Sequence, residues 1–456
     1  MPTKVKALPP PVVMYEWQTV EVPDVRQTKF DAALTRSLHE QNDLMLDVQW
    51  LQGDRARITS RSWVGVVRFE TFEVRVVPKF VGGNLGILQM LDYTHGLDSI
   101  RRLEALQHLE GDGDSLVDLV CWLLADQCEY VLRHGLLSDY VTHEETLSAP
   151  RGRLQIDRQI RLHYGQVDRL ECRFDEYESD ILENRILAVA LRKARAVCRN
   201  ERVRAMVRHI EPLFSEVCPT DNLDLQTTRQ QLAYHRRNAH YKRGHHWAFL
   251  LLGGGAIKDV YTAGLAEAFA FMFDMNRLFE EFVERLLQNA FQGTEHRVSP
   301  QSRTHSIVVD EKGKNYSTVI PDLLLKSGMG SAARIVPIDS KYKLYSDHKV
   351  SPSDIYQAFL YAYAFAAPGS LPTAGIIFPA VEEARGFNLA VQTTKGSVGG
   401  RIHGFGIDIP TVLSRIREAQ PATAIARELV RDLLELLGSA TKAQPDMGAV
   451  PAVVAA

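Results

Sequence analysis

The sequence predicts a multidomain protein of the α+β or α/β class. It indicates a β-rich N-terminal domain, a helical middle region and a C-terminal core of order α-β-β-β-α-β. Three observations support this. Short apolar alternations dominate before residue 80, helical spacing dominates the middle, and helical and strand patterns alternate after residue 275. The length of 456 residues fits two to three domains, because domains average about 150 residues.

The N-terminal part of the chain has the period-two pattern of β-strands. Residues 64–69 and 72–77 are two such runs on either side of Thr71, and we expect them to pair as a hairpin or meander. Residues 116–132 carry apolar side chains at helical spacing. The tetrapeptide Arg151-Gly152-Arg153-Leu154 is expected to open a further strand. These patterns predict a first domain rich in strands that contains one long helix.

Residues 181–210 form the most regular helical pattern in the first half of the chain. One face of this predicted helix is apolar. The opposite face carries a stripe of arginines, namely Arg185, Arg192, Arg195, Arg199 and Arg202. Such a stripe is typical of a solvated helix face. The alternative is a surface for phosphates or for an acidic partner.

No acidic residue lies between Asp224 and Asp259. Cations and aromatic residues alternate there, including Arg236, Arg237, Lys242 and Arg243 with Tyr234, Tyr241 and Trp247. Positive charge for the backbone and flat rings for stacking would suit a nucleic-acid groove. An interface helix or a linker into the next domain fits equally well. The histidines of this stretch have no Cys or carboxylate partners at a known metal spacing, so no metal site is predicted.

Composition excludes several classes of protein. Lys and Arg total 53 against 56 Asp and Glu, so bulk positive charge does not hold a nucleic acid. The hydrophobic fraction of 45% excludes global disorder. Five cysteines without a CxxC pair argue against a zinc ribbon or disulfide framework and fit a reducing compartment. No segment is apolar enough for a signal peptide or a bilayer span. We expect a cytoplasmic protein without a membrane partner.

These patterns predict five consecutive segments. They are a flexible tail at 1–14, a β-rich partner-interaction domain at 15–165, a helical linking region with a basic face at 166–265, a nuclease domain at 266–437 and a disordered tail at 438–456. The triplet Gly253-Gly254-Gly255 is expected to act as a hinge, because glycines break helical patterns. The last segment is rich in Ala, Val and Pro without helical periodicity.

The C-terminal part contains the residues that indicate chemistry. Its expected elements are a helix at 276–289, strands at 304–309, 318–326 and 334–344, a helix at 353–365 and a strand at 374–378. If the second and third strands form a hairpin, a turn within residues 327–331 places Asp322 opposite Asp339, about 5 Å apart at Cβ. Lys341 follows Asp339 by two residues and so faces the same side.

Two adjacent carboxylates and a lysine suit phosphodiester hydrolysis. A divalent ion polarises the phosphate and lowers the pKa of an attacking water, and hard oxygen ligands prefer Mg²⁺. Gln357 and Tyr361 share a helix face that can overlook the hairpin. Glu280 flanks the apolar stripe of the first helix and is a further candidate ligand. The alternative is a strand end and a surface ion pair. Acids within apolar strands are costly unless paired or metal-bound, which favours the catalytic interpretation.

These residues resemble the PD-(D/E)xK nuclease superfamily. The resemblance consists of Pro321-Asp322, Asp339-Ser340-Lys341, the α-β-β-β-α-β order and the spacing of Gln357 and Tyr361. A narrower resemblance covers about residues 60–410. Segments 64–66, 77–80, 151–153, 172–176, 183–187 and 276–283 are similar to McrC, the nuclease subunit of McrBC modification-dependent restriction systems.

The McrC resemblance implies an endonuclease that works with a partner in antiviral defence. McrC-like proteins join a hexameric AAA+ GTPase, McrB, which reads methylated cytosine, and they stimulate its hydrolysis by inserting their N-terminal domain into the ring. Double-stranded DNA is then cut after translocation. The sequence has no GxxxxGK[ST] phosphate loop, so we expect no NTP site of its own.

The resemblance also assigns roles to single residues. Asp322 and Asp339 would bind Mg²⁺, or Mn²⁺ in its place, with the main-chain carbonyl of Ser340 and with Glu280 as a further ligand. Lys341 would be the catalytic lysine. Gln357 and Tyr361 would support the site. The helix that carries Arg185 is the first candidate for stimulating the GTPase, on the basis of its arginine stripe.

Three functions remain open from the sequence. The first is an Mg²⁺-dependent endonuclease that cleaves 5-methylcytosine-type modified DNA with an AAA+ GTPase. The second is a PD-(D/E)xK nuclease of another defence or repair system. The third is a non-catalytic adaptor that regulates an AAA+ motor. The intact set of Asp322, Asp339 and Lys341 argues against the third.

Overall fold

The structure is a computed structural model of the whole chain. It describes residues 9–39, 44–100, 103–111, 115–218, 223–254, 258–260, 268–300, 308–317, 320–328, 334–343, 345, 349–381 and 386–439. The chain divides into two compact units. Unit 1 contains Met1–Val77 and Leu97–Phe273, and unit 2 contains Pro78–Gly96 and Asp274–Ala456.

The helices and strands are numbered along the chain. The helices are α1 (Lys29–His39), α2 (Asn84–Thr94), α3 (Leu103–Gly111), α4 (Leu116–His134), α5 (Ile156–His163), α6 (Leu182–Val197), α7 (Glu201–Val217), α8 (Leu225–Gln231), α9 (Lys242–Phe249), α10 (Met275–Phe291), α11 (Pro352–Phe365), α12 (Ile409–Arg417), α13 (Ala422–Ile425) and α14 (Arg427–Ser439). The strands of unit 1 are β1 (Val12–Tyr15), β2 (Thr19–Val22), β3 (Leu46–Leu51), β4 (Arg55–Ser60), β5 (Trp63–Arg68), β6 (Glu73–Val77), β7 (Asp139–Leu147), β8 (Arg153–Leu154), β9 (Leu170–Glu178), β10 (Lys258–Val260) and β11 (Ala268–Asp274), whose last residue already belongs to unit 2. The strands of unit 2 are β12 (His296–Pro300), β13 (Val308–Val309), β14 (Asn315–Ser317), β15 (Leu323–Ser327), β16 (Arg334–Ser340), β17 (Thr373–Pro379), β18 (Phe387–Gln392) and β19 (Val398–Ile407).

Unit 1 contains a five-stranded sheet of order β1-β6-β5-β11-β10. The predicted pairing of β5 with β6 is confirmed and is antiparallel. Gly65 allows β11 to approach β5, because a Cβ at this position would lie 2.0 Å from the carbonyl oxygen of Phe271. Residues 12–14, which the sequence assigns to a flexible tail, instead lie in β1. They pair in parallel with β6, and Met14 is buried.

The helical part of unit 1 packs α4, α6, α7 and α9 against one another. The helix predicted at 116–132 is confirmed as α4. The single helix predicted at 181–210 is wrong, because the chain leaves the helix at residues 198–200. There Asp118 Oδ1 accepts the main-chain N–H groups of Arg199 at 2.7 Å and Asn200 at 3.2 Å. The Asn200 side chain then caps the start of α7.

A buried ionic cluster lies in unit 1. The carboxylate of Glu73 is fully buried and contacts Arg68 at 2.7 Å, Arg75 at 2.7 Å and Arg199 at 2.9 Å. Arg68 is also buried and donates to the carbonyl oxygen of Val197. Burial by itself would raise the pKa of Glu73, but the three guanidinium charges outweigh it and lower that pKa. The cluster therefore holds its carboxylate ionised.

Residues 139–178 form a separate layer of unit 1, which we call the arm. Its three strands have the order β7-β9-β8, and α5 covers one end. The strand expected to open at residues 151–154 is present as the two residues of β8. Gly152 has φ of 63°, and a Cβ there would lie 2.4 Å from the carbonyl oxygen of Arg173. Only glycine fits this turn without strain.

Unit 2 contains a six-stranded mixed sheet of order β12-β15-β16-β17-β19-β18. The helices predicted at 276–289 and 353–365 and the strand at 374–378 are confirmed as α10, α11 and β17. The strand predicted at 304–309 is not in this sheet. Its described residues, Val308–Val309, pair with β14. The sheet position belongs to β12, an edge strand whose polar residues and terminal proline hid it from the sequence pattern.

Helices cover the sheet of unit 2. α11 packs on β16, β17 and β19, where Ala358, Ala362 and Ile376 form a core cluster with Ala374 and Ile402. α10 contacts β12 and β16, and it also packs against α2. Tyr93 on α2 accepts a hydrogen bond from Asn289 on α10 at 2.9 Å. None of the helices in the described ranges is both long and apolar enough to cross a membrane.

The compact units differ from the five predicted segments. The boundary between the two units lies between residues 273 and 274, and residues 78–96 belong to unit 2. Of the predicted glycine hinge, Gly255 lies outside the described residues. Residues 440–456 of the predicted C-terminal tail also lie outside them, and Ser439 ends α14.

Candidate active site

The strand register of unit 2 fixes the position of the two predicted aspartates. Leu323 on β15 pairs with Ile338 on β16 in an antiparallel ladder. Asp322 and Asp339 are the next pair beyond Leu323 and Ile338, so the prediction that the two aspartates lie opposite each other is confirmed. Asp322 also accepts the main-chain N–H of Ser340 at 2.7 Å. The two carboxylates are thus held beside each other at one end of the β15–β16 hairpin.

Both carboxylates lie in an environment that disfavours negative charge. Asp339 is 1% exposed. Burial, followed by the charges of Asp339 and Glu280, raises the pKa of Asp322 to about 7, although the N–H of Ser340 opposes this shift. Burial also raises the pKa of Asp339, against the opposing charge of Lys341. Two such groups repel each other unless a proton or a cation lies between them.

Lys341 is the cation of this group. Its Nζ lies 2.9 Å from Asp339 Oδ2 and forms an ion pair with it. The Lys341 side chain is 22% exposed, so it extends from a buried partner towards solvent. Burial alone would lower the pKa of Lys341, but the charges of Asp339 and Asp322 outweigh it and raise that pKa. Lys341 therefore stays charged at neutral pH.

Tyr361 ties α11 to the segment that carries Asp322. Its hydroxyl donates to the carbonyl oxygen of Ile320 at 2.9 Å and accepts from Gln357 Nε2 at 2.8 Å. Ile320 precedes the Pro321-Asp322 dipeptide. The predicted supporting pair, Gln357 and Tyr361, is therefore brought to the aspartates and fixes the backbone there.

Glu280 lies on α10 in a half-buried position. Its negative charge contributes to the raised pKa of Asp322, so it lies within electrostatic range of that carboxyl group. Even so, no group of three or more His, Cys, Asp or Glu side chains is arranged to hold a metal among the described residues. Glu280 as a direct ligand stays a prediction.

A third carboxylate near the site, which is buried, was not predicted from the sequence. Asp354 at the start of α11 contacts Lys343 Nζ at 3.0 Å and accepts from the Tyr345 hydroxyl at 2.6 Å. Its negative charge adds to the raised pKa values of Asp339 and Lys341. The alternation of Lys341 and Lys343 indicates a third acid near the site but does not identify it as Asp354.

The arginines predicted as a contact surface in the middle region make contacts within unit 1. Arg185 pairs with Asp180, Arg192 donates to Ser215 and to the carbonyl oxygen of Cys218, Arg195 pairs with Glu211, and Arg199 pairs with Glu73. Arg199 lies outside the two helices, so the stripe is not continuous. Their role toward a partner or nucleic acid stays a prediction.

The basic and aromatic stretch near residue 240 has a buried and an exposed part. Tyr241 and Trp247 are fully buried in the helical core, so these rings do not form a stacking surface. Arg243 donates to the carbonyl oxygen of Leu97 at 2.6 Å. Arg236, Arg237 and Lys242 are exposed. These three cations keep the accessibility that a nucleic-acid contact needs, and Tyr234 is 40% exposed.

The donor set near Asp339 fits a hard divalent cation. Both of its carboxylate oxygens are buried. Lys341 pairs with Oδ2, and Oδ1 has no hydrogen-bond partner among the described residues, which is costly for a carboxylate. Asp322 adds a second carboxylate and the main chain of Ser340 adds a carbonyl. Mg²⁺ is usually bound through one or two carboxylates and keeps several waters, so it does not need a third acid.

Replacing Tyr361 by phenylalanine is expected to weaken the site without removing any proposed ligand. The half-buried carbonyl of Ile320 and the amide of Gln357 lose their partner. We expect the free energy of unfolding to fall by about 1 kcal/mol, the net contribution of a typical hydrogen bond, as measured by urea denaturation. Tyr363→Phe is the control, since Tyr363 is 69% exposed. Equal stability of the two variants would contradict the tether.

Comparison with known proteins defines the class of this fold. It is similar to McrC in the half-complex from the tetradecameric assembly of Thermococcus gammatolerans McrB AAA+ hexamers with bound McrC. The TM-score is 0.60 and the sequence identity 18%, and the match covers 92% of this chain and 99% of that chain. The Thermococcus gammatolerans McrBC complex also matches, with a TM-score of 0.43 and 21% identity over 60% of this chain and 86% of that chain. No curated protein matches.

The family follows from the sequence match. Residues 58–378 match the family described as McrBC 5-methylcytosine restriction system component. The chain belongs to this family. The resemblance to McrC that the motifs indicated is therefore confirmed.

Proposed function

We propose that this chain is the Mg²⁺-dependent endonuclease subunit of a McrBC-type restriction system, with a PD-(D/E)xK site. The observation that carries the proposal is the group of Asp322, Asp339 and Lys341 at the end of the β15–β16 hairpin. A buried and a half-buried acid, both with raised pKa values, and a charged lysine have a high cost in a purely structural role. Family membership gives this chemistry a context, namely restriction of DNA that carries 5-methylcytosine.

The residues of the chain divide the proposed work. Asp322, Asp339 and the carbonyl of Ser340 would hold Mg²⁺, which supplies charge stabilisation at the phosphate and a more acidic bound water. The Lys341 ammonium orients the nucleophile and stabilises negative charge on the scissile phosphate. Ser340 N–H and Tyr361 hold the segment of Asp322 in place. Preorganised groups of this kind lower the barrier because they do not reorganise during the reaction.

We also propose a McrB-like AAA+ GTPase hexamer as the partner. The similar Thermococcus protein is bound to McrB AAA+ hexamers, and this sequence has no phosphate loop. The contact is proposed for the arm. Its helix α5 has no buried residue, and the arm exposes Ile156, Leu162, Tyr164 and Val167. Exposed apolar side chains in one region are typical of a protein interface.

The test is cleavage of methylated and unmethylated plasmid with Mg²⁺ and GTP. It compares this protein alone with its complex with the AAA+ product of a neighbouring reading frame. We expect cleavage of methylated plasmid by the complex only. Cleavage by the protein alone would replace this proposal by a free-standing nuclease. GTPase stimulation without any cleavage would replace it by an adaptor.

Mg²⁺ is expected to stabilise the protein more at pH 8 than at pH 5.5. The pKa of Asp322 in the fold, about 7, lies above its usual value of 3.8, so stability is lost as pH rises through about 7 and the carboxyl ionises. Bound Mg²⁺ reverses this loss. At 100 times its Kd it would add about 2.7 kcal/mol to the free energy of unfolding. Thermal denaturation with and without Mg²⁺ measures the effect.

The control for this prediction is Asp322→Asn, which keeps the size of the side chain and removes its charge. The variant should show a smaller Mg²⁺ shift and a weaker dependence of stability on pH. A shift of the same size in the variant, or at both pH values, would contradict a metal site at Asp322.

A further inference from the structure

The arm is built as a self-contained element. Among the described elements, the extensive packing contacts of β7, β8, β9 and α5 are with one another. Polar contacts also hold it together, for example Thr142 to Asp175 at 2.6 Å and His163 to Glu171 at 3.2 Å. The chain connects it to the helical core at its two ends, residues 137–138 and 179–180.

A buried asparagine on α6 joins these two ends. Asn184 on α6 is fully buried, and its Nδ2 donates to the carbonyl oxygen of Leu137 at 2.9 Å and to that of Ser179 at 2.8 Å. One carbonyl precedes β7 and the other follows β9. The amide group thus uses both of its donors on chain segments that lie on either side of the whole arm.

A second buried side chain completes the arrangement. Tyr241 donates its hydroxyl to Asn184 Oδ1 at 2.7 Å and accepts the N–H of Leu137 at 2.9 Å. The hydroxyls of Ser138 and Ser179 also lie 2.6 Å apart. Both main-chain polar groups of Leu137 are therefore paired with buried side chains. We call Asn184 and Tyr241 the clamp.

We infer that the clamp makes the arm a rigid lever, whose direction is fixed to α6 rather than free to swing about its two ends. A swing would turn the peptide groups of Leu137 and Ser179 away from Asn184. Buried polar groups would then lose their partners, which is unfavourable. Arg185, the next residue on α6, strengthens the attachment because it pairs with Asp180 at 2.6 Å. This gives the Glu183-Asn184-Arg185 motif a positioning role.

Spin-label distances in the full-length protein test the lever. Labels at Tyr164→Cys on the arm and Arg208→Cys on α7 would report the spread of arm directions, since both sites are exposed and the five native cysteines are buried. Asn184→Ala should broaden the distance distribution. It should also speed amide hydrogen exchange next to residues 137 and 179 by about tenfold or more, because the hydrogen bonds that hold these segments are lost.

Asn238→Ala is the matched control. Asn238 is equally buried and makes side-chain hydrogen bonds of similar length, to Glu183, Ala233 and His235, but it does not contact the arm ends. The distribution of spin-label distances in Asn238→Ala should match that of the parent protein. If Asn184→Ala does not fold, Tyr241→Phe tests the same clamp by removal of one oxygen. An unchanged distribution in a folded clamp variant would overturn the inference.

The lever also predicts how the proposed partner responds, and this part rests on the proposed function. Asn184→Ala should lower stimulation of partner GTP hydrolysis about fivefold while partner affinity stays within about twofold, a coupling effect of ordinary size. Tyr164→Ser at the exposed end of the arm should instead lower affinity. No binding by the parent protein would contradict the proposed partner, and the spin-label result would still decide the lever.

Discussion

Asp339→Asn is expected to lower DNA cleavage by the partner complex about 10³-fold or more. The change removes a negative charge from the site proposed to hold Mg²⁺, and metal stabilisation of the transition state amounts to several kcal/mol. It keeps the shape of a side chain that is 1% exposed. The fold should persist, because asparagine keeps the size of the side chain and burial already disfavours the charge of Asp339 by raising its pKa. A plasmid-nicking time course measures the effect.

Two further measurements separate loss of chemistry from loss of structure. Partner GTP hydrolysis should be stimulated by Asp339→Asn as by the parent, since the proposed contact lies on the arm. Glu295→Gln is the control for a charge change in the same unit, because Glu295 is exposed. Cleavage by Asp339→Asn within tenfold of the parent rate would show that Asp339 is not part of the proposed active site. Loss of both activities would indicate a structural defect.

Glu73→Ala is expected to lower the free energy of unfolding by about 3–5 kcal/mol, the usual cost of removing one partner from a buried ion pair. Arg68 is 5% exposed and would keep its charge in a buried place without its carboxylate. Arg75 and Arg199 would repel it. The lowered pKa of Glu73 also means that this stabilisation is present above pH 4.5 and is lost as pH falls through the lowered value.

Urea denaturation of the full-length protein at pH 7 measures this effect through the transition of unit 1. Glu21→Ala is the control. Glu21 also contacts two arginines, Arg55 and Arg57, but at the exposed surface. The urea midpoint of Glu21→Ala should therefore stay nearly equal to that of the parent. Equal midpoints for Glu73→Ala and the parent would show that the cluster is not a stabilising element.

The sequence predicted the arrangement of the candidate site residues better than the fold around them. Asp322, Asp339 and Lys341 could be placed because a hairpin register follows from residue numbers and from a glycine-rich turn. Tyr361 and Gln357 followed from helical spacing. Local geometry decides each of these relations, so the sequence pattern is sufficient. Features that depend on contacts between separate elements were harder to predict.

Three features depended on contacts between residues distant in sequence. The break between α6 and α7 results from Asp118, which lies about 80 residues earlier and captures two main-chain N–H groups. β12 looks polar because it is an edge strand. Asp354 became recognisable only once α11 was packed beside β16. Periodicity within one segment contains no information about such partners, so these features could not be predicted from it.

The assignment of α2 to unit 2 has a consequence for synthesis on the ribosome. The apolar face of this helix includes Leu85, Leu88 and Leu91, which are buried in the finished protein. Its packing partner α10 begins about 180 residues later. At about 5–20 residues per second, α2 leaves the ribosome roughly 10–40 s before that partner exists. During this interval the nascent chain displays an unpaired apolar helix, which makes it a natural client for chaperones.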